Sequence, residues 1–124
     1  MANEVKVSVS ISFSKNNIKG SRSWSCSADV TGSELLHASQ TIGNNTEEEL
    51  AQTSDMGVPG WCLIINHDTT NYIEIGSTTG VYDAWCLPGE PCLYRHSGSG
   101  AIYVRCDNSE DAGDALVEYF MVEA

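Results

Sequence analysis

Positive charge is scarce in this 124-residue chain: six lysines and arginines stand against 17 aspartates and glutamates, for a formal charge of −11. That balance argues against direct nucleic-acid binding, which uses Lys and Arg to displace phosphate counterions. It favours solubility and a basic partner surface. Long apolar runs are also missing, and no segment approaches the ~20 residues of a membrane helix. The opening Met1-Ala-Asn-Glu-Val-Lys6 has no basic region followed by a continuous apolar block, so it is not read as a signal peptide. Catalytic signatures are absent too: there is no Gly-x-Ser-x-Gly elbow, no Gly-x-x-x-x-Gly-Lys loop, no His-x-His and no Cys-x-x-Cys. Each absence removes the sequence basis for a reaction class, respectively a serine hydrolase, a P-loop nucleotidase, a cupin-type metal site and a zinc ribbon. No enzyme activity, cofactor or metal is expected.

The five cysteines, Cys26, Cys62, Cys86, Cys92 and Cys106, are odd in number and do not form a disulfide framework. They read as small buried apolar side chains in a reducing compartment. Cys86 and Cys92 flank Leu87-Pro-Gly-Glu-Pro91 symmetrically, and a hairpin there would set them opposite each other within reach of a bond. His37, His67 and His96 stand far apart and read as surface or hydrogen-bonded side chains.

What is present is alternation. Val5, Val7, Val9, Ile11 and Phe13 alternate with Lys6 and four serines, the period-2 pattern of a strand with one apolar face. Asn16-Asn17 marks a turn, and Trp24, Cys26, Ala28 and Val30 repeat the alternation, predicting a hairpin over residues 4–31. Leu35 to Ile42 is a weaker strand. Thr46 followed by Glu49 fits a helix capping box, so one or two helical turns are expected over 46–52, with the Glu47–Glu49 run solvated.

Beyond Gly60, strands are expected at Trp61–Asn66, Tyr72–Ile75, Val81–Leu87, Cys92–Arg95, Ile102–Cys106 and Leu116–Val122. The separators are rich in Gly, Pro, Asn, Asp and Ser, which supply turn geometry. About nine short strands with at most one short helix predict an all-β chain of one domain over 1–124. Its architecture is a two-sheet antiparallel β-sandwich or jelly roll.

Charge is unevenly placed. Residues 1–22 carry Lys6, Lys15, Lys19 and Arg22 against Glu4, a net +3, whereas the remainder carries two cations against 16 acids, a net −14. Residues 1–22 therefore read as a basic strand or arm. The crowded Asp107, Glu110, Asp111 and Asp114 do not have the spacing of a calcium loop and read as a solvated acidic turn. Trp24, Trp61, Trp85, Tyr72, Tyr82 and Tyr94 offer flat faces for a sugar, although most fall at strand positions where aromatics belong to a core.

Four segments in order carry a resemblance: Thr70-Asn-Tyr-Ile-Glu-Ile-Gly76, Leu87-Pro-Gly-Glu-Pro-Cys-Leu-Tyr-Arg95, Ala101-Ile-Tyr-Val-Arg-Cys106 and Val117-Glu-Tyr-Phe-Met-Val-Glu123. Together with Ile42-Gly43, Glu47-Glu48, Val58-Pro-Gly60 and the serine-rich opening, they resemble small virion structural proteins of tailed bacteriophages over about residues 5–123. The cysteines depart from that group, which often has Ala or Val at such positions. The resemblance implies no enzyme. It implies a capsid decoration, or cement, protein on the virion surface, folded in the host cytoplasm. Its partner is then the major capsid protein, with copies of this chain forming a dimer or trimer at capsomer junctions and stabilising the shell. No membrane or nucleic-acid contact is expected. The contact residues expected are Lys6, Lys15, Lys19, Arg22, Glu47, Glu48, Glu49, Asp107, Glu110 and Asp111. The competing readings are a tail, baseplate or fibre-attachment protein, and a carbohydrate-binding β-sandwich module.

Overall fold

The computed structural model describes residues 3–97, 100–106 and 113–124. Among the described residues it contains ten strands and no helix. The chain divides into two compact units, Met1–Thr31 and Gly32–Ala124.

The first unit is an antiparallel hairpin of β1 (Val5–Lys15) and β2 (Ile18–Ala28), in unbroken register from Val5↔Ala28 to Lys15↔Ile18. Asn16 and Asn17 form its two-residue turn with φ of 52° and 67°. Two consecutive positive φ values define the type I′ turn whose twist matches the flanking strands, and Asn tolerates that region better than other side chains except Gly. The register sets Val7, Val9 and Ile11 against Cys26, Trp24 and Arg22 on one face. The opposite face pairs Ser8 with Ser25, Ser10 with Ser23 and Ser12 with Ser21.

The second unit holds β3 (Leu35–Ile42), β4 (Glu47–Glu49), β5 (Pro59–Asn66), β6 (Ile73–Gly76), β7 (Ala84–Cys86), β8 (Pro91–Arg95), β9 (Tyr103–Cys106) and β10 (Ala115–Glu123). They form two four-stranded antiparallel sheets, ordered β3-β10-β5-β8 and β4-β9-β6-β7. β10 sits between β3 and β5, and β9 between β4 and β6. This nested order is that of an eight-stranded jelly roll. The expected two-sheet fold is present, with one strand more than anticipated.

Alternation fills the space between the sheets. One sheet contributes Ile42, Cys62, Ile64, Val117, Tyr119 and Met121, the other Ile73, Ile75, Cys86, Val104 and Cys106, with Leu50 and Ile102 closing one side. Two large polar side chains inside find partners. Asn66 donates from Nδ2 to the carbonyls of Asn71 (2.9 Å) and Cys86 (3.1 Å), and Tyr119 donates its hydroxyl to the Ala51 carbonyl (2.7 Å). A buried amide without such partners would cost about 1–3 kcal/mol.

Two local expectations are corrected. The predicted helical turns at 46–52 are absent. Glu47–Glu49 is strand β4, paired with Tyr103–Arg105, and the Leu50 amide continues the pairing to the Ile102 carbonyl (2.9 Å). The capping-box signal is local, and the ladder with β9 outcompetes it while burying Leu50. The strand predicted at Val81–Leu87 shrinks to Ala84–Cys86, because Val81 instead closes a tight turn through a bridge with Thr78.

Candidate interaction surfaces

The hairpin presents two chemically distinct faces. On the apolar face, Ile11 is 72% exposed, Trp24 63% and Phe13 55%, with Val9, Ile18 and Cys26 also exposed. The guanidinium of Arg22 lies 5.0 Å from the centre of the Trp24 ring on this same face. An indole at a strand position reads as core in the sequence, and Trp24 is solvent-facing instead. All four predicted contact cations are exposed. Lys6 and Lys19 lie on the serine face, while Lys15 and Arg22 lie on the apolar face.

The predicted acidic contacts behave differently. The run Glu47–Glu49 is not simply solvated. Glu47 accepts from the Gly80 amide (2.8 Å) and the Tyr82 hydroxyl, and these bonds, Tyr82 first, hold its carboxyl below the ordinary value of 4.5. Glu48 accepts from the Gly43 amide (2.8 Å) and Gln40 Nε2 (3.2 Å). Glu49 alone of the three is exposed. Asp107, Glu110 and Asp111 lie outside the described residues. Asp114, from the same acidic turn, accepts from the Asn44 amide (3.1 Å).

The outer face of the β4-β9-β6-β7 sheet carries a connected row that the sequence did not reveal. Cross-strand register aligns Glu47, Arg105, Glu74 and Trp85. Arg105 donates to Glu74 Oε1 from Nη2 (2.7 Å) and Nε (3.2 Å), and Trp85 Nε1 donates to Glu74 Oε2 (3.2 Å). The Arg105 guanidinium also stacks 4.7 Å over the Tyr82 ring. Glu74 is nearly buried beneath this row, so its charge is matched where desolvation is costly. Trp85, 62% exposed, lies 5.0 Å from the Tyr72 ring at 33°. Of the six aromatics weighed for sugar stacking, Trp24 and Trp85 face solvent, while Trp61, Tyr72, Tyr82 and Tyr94 are partly covered.

The other sheet gathers two of the three histidines. His37 on β3 and His67 just after β5 flank Glu118 on β10, each with Nε2 2.6 Å from a different carboxylate oxygen. These bonds, with His37 the larger influence, hold the Glu118 carboxyl below its ordinary value. His96 is buried. Among the described residues, no group of three or more His, Cys, Asp and Glu has metal-holding geometry.

All five cysteines are thiols rather than disulfides. Cys62, Cys86 and Cys106 are buried as expected, Cys92 is partly buried, and Cys26 departs from the expectation by being exposed. The segment between Cys86 and Cys92 is not a hairpin within one sheet, because β7 and β8 belong to different sheets. Comparison with protein-family models, curated proteins and solved structures finds no match to this chain.

Proposed function

We propose that this chain is a non-catalytic virion structural protein of a tailed bacteriophage, a decoration protein that docks on the outside of the shell through its N-terminal hairpin. The observation that carries the reading is the hairpin's apolar face. Six exposed apolar side chains, Val9, Ile11, Phe13, Ile18, Trp24 and Cys26, share one rigid ribbon with Lys15 and Arg22. Aromatic and Arg side chains dominate protein interfaces when water is excluded around them. The cations match an acidic rim on the shell protein, and the acidic jelly roll leaves the chain soluble before docking. The sequence resemblance to small phage virion proteins supplies the class of partner.

Size fixes how such docking works. An 11-residue ribbon is about 37 Å long and on the order of 10 Å wide, so its face covers roughly 400 Å². A specific interface buries roughly 800 Å² on each partner. One hairpin thus supplies about half of an interface, and the remainder falls to the jelly roll or to repetition of contacts at capsomer junctions.

The test is the copy number of the chain in purified particles, by quantitative mass spectrometry against the major capsid protein. Hundreds of copies in simple ratio to the capsid protein support decoration. A few dozen or fewer transfer the reading to the tail, and absence from particles overturns it. A second reading, glycan binding, is favoured by one observation, the solvent-facing Trp85 beside Tyr72. Its check is a glycan array with wild type and Trp85→Ala, in which only a signal lost in the variant supports it.

A further inference from the structure

We propose that Cys86 and Cys92 form a thiol–disulfide exchange site, at which a small disulfide oxidant closes a covalent bridge between the two sheets of the jelly roll. β7 is the edge strand of one sheet and β8 the edge strand of the other, so residues 87–90 carry the chain across from sheet to sheet. That crossing has a fixed shape. The Leu87 amide donates to Glu90 Oε1 (3.0 Å), the Glu90 amide donates to the Leu87 carbonyl (3.0 Å), and Gly89 takes a φ of 80°. Cys86 ends β7 pointing into the core, and Cys92 packs against the same core from β8. The two thiols are near enough to shift each other's titration.

Their surroundings assign distinct roles. Cys86 is fully buried and closed to any reagent. Cys92 opens on a cavity of about 280 Å³ lined also by Gly76, Asp83, Tyr94 and His96. The neighbouring Cys86 thiol lowers the Cys92 thiol from 9.0 to about 7, while Cys86 itself is raised. A thiol titrating near ambient pH is the better attacking group in exchange. By contrast, Cys62 donates to the Gly60 carbonyl (3.6 Å), and burial pushes it up to about 12.

The reaction balances in two exchanges. The Cys92 sulfur attacks one sulfur of the small disulfide, forming a mixed disulfide and expelling one small thiolate that takes up the Cys92 proton. Cys86 then loses its proton and attacks Cys92 Sγ, forming the protein bridge and releasing the second small thiol. Two protein thiols are oxidised, and one small disulfide is reduced to two thiols.

The experiment treats the folded full chain with bis(2-hydroxyethyl) disulfide at neutral pH, quenches it with acid and maps the peptides by mass spectrometry. The expected product joins Cys86 to Cys92 with loss of two hydrogens, and its thermal midpoint exceeds that of the reduced chain. Exposed Cys26 carries a simple adduct and serves as an internal reagent control. Cys86→Ala should stall with the mixed disulfide on Cys92. If that variant does not fold, early quenching of the wild type must find the adduct on Cys92 before the bridge. Cys86 and Cys92 both remaining thiols while Cys26 reacts, a first adduct on Cys86, or a bridge to Cys62 would each overturn the assignment.

Discussion

Glu118 shows how much a single side chain gathers in this fold. Its two histidine partners lie 81 and 51 residues away in sequence, and its carboxyl is held below the ordinary 4.5 by their hydrogen bonds. A carboxylate with a lowered folded value stabilises fully above its unfolded value and ceases to do so as pH falls through the folded one. Glu47, held down by Tyr82 and Gly80, and Glu123, held down by the Ser33 and Glu34 amides, act in the same sense. The thermal midpoint of the wild type should therefore fall on acidification below about pH 4.5. Glu118→Gln should lower the midpoint at neutral pH and make its acid decline shallower. Circular dichroism melts from pH 3 to 7 decide this, and superimposable curves for the two chains would sink it. A second single-residue constraint lies at Gly76. A Cβ there would strike the carbonyl of Val81 and press on Tyr82 Cα, both of them backbone. Overpacking of this kind costs about 1–3 kcal/mol, so Gly76→Ala should lower the urea midpoint accordingly. Gly20→Ala, with nothing within 4 Å of the new methyl, should not.

At the scale of elements, the hairpin was the most legible part of the sequence. Its pairing is between neighbours in the chain, its faces follow a period of two, and Asn16-Asn17 names its own turn. That turn yields a prediction. Asn17 has a φ of 67°, a region that costs a β-branched residue more than 1 kcal/mol and Gly almost nothing. Asn17→Gly should preserve slow amide exchange along β1 and β2, and Asn17→Val should accelerate it. Equal protection in both variants would mean that the turn does not set the register. What alternation could not tell was which face would be covered. The same pattern that marks Trp24 as inward in a sandwich marks it as exposed on a free ribbon. β4 was misread for a related reason: the capping-box spacing of Thr46 and Glu49 is visible locally, whereas the competing partner, Tyr103–Arg105, lies more than 50 residues away.

For the molecule as a whole, the sequence exposed nine of the ten strands but not their order. β10 pairs with β3 and β5, and β9 with β4 and β6, so every central partnership is distant in sequence. The row Glu47–Arg105–Glu74–Trp85 and the His37–Glu118–His67 cluster were invisible for the same reason. The first exists only once four strands are in register, and the second only once three are. The residues from Gly32 onward contain both sheets and the buried cluster, and the Gly32 amide is bonded to the Ala124 carbonyl (2.9 Å). A chain starting at Gly32 should therefore unfold cooperatively on its own, with near-ultraviolet dichroism and an intact thermal transition. A non-cooperative melt would show that Met1–Thr31 is required for folding.

Among the described residues the hairpin is a sheet of two strands, so each strand leaves one long margin of amides and carbonyls without a neighbouring strand there. Such a margin recruits by backbone alone and does not distinguish the intended neighbour from a sibling. Supply then matters as much as affinity. A cell that makes this chain in step with its docking target keeps the margins occupied, whereas one that makes it in surplus accumulates ribbons able to extend one another. Lys6, Lys15, Lys19 and Arg22 repel their counterparts on a second ribbon, and that repulsion weakens as salt rises.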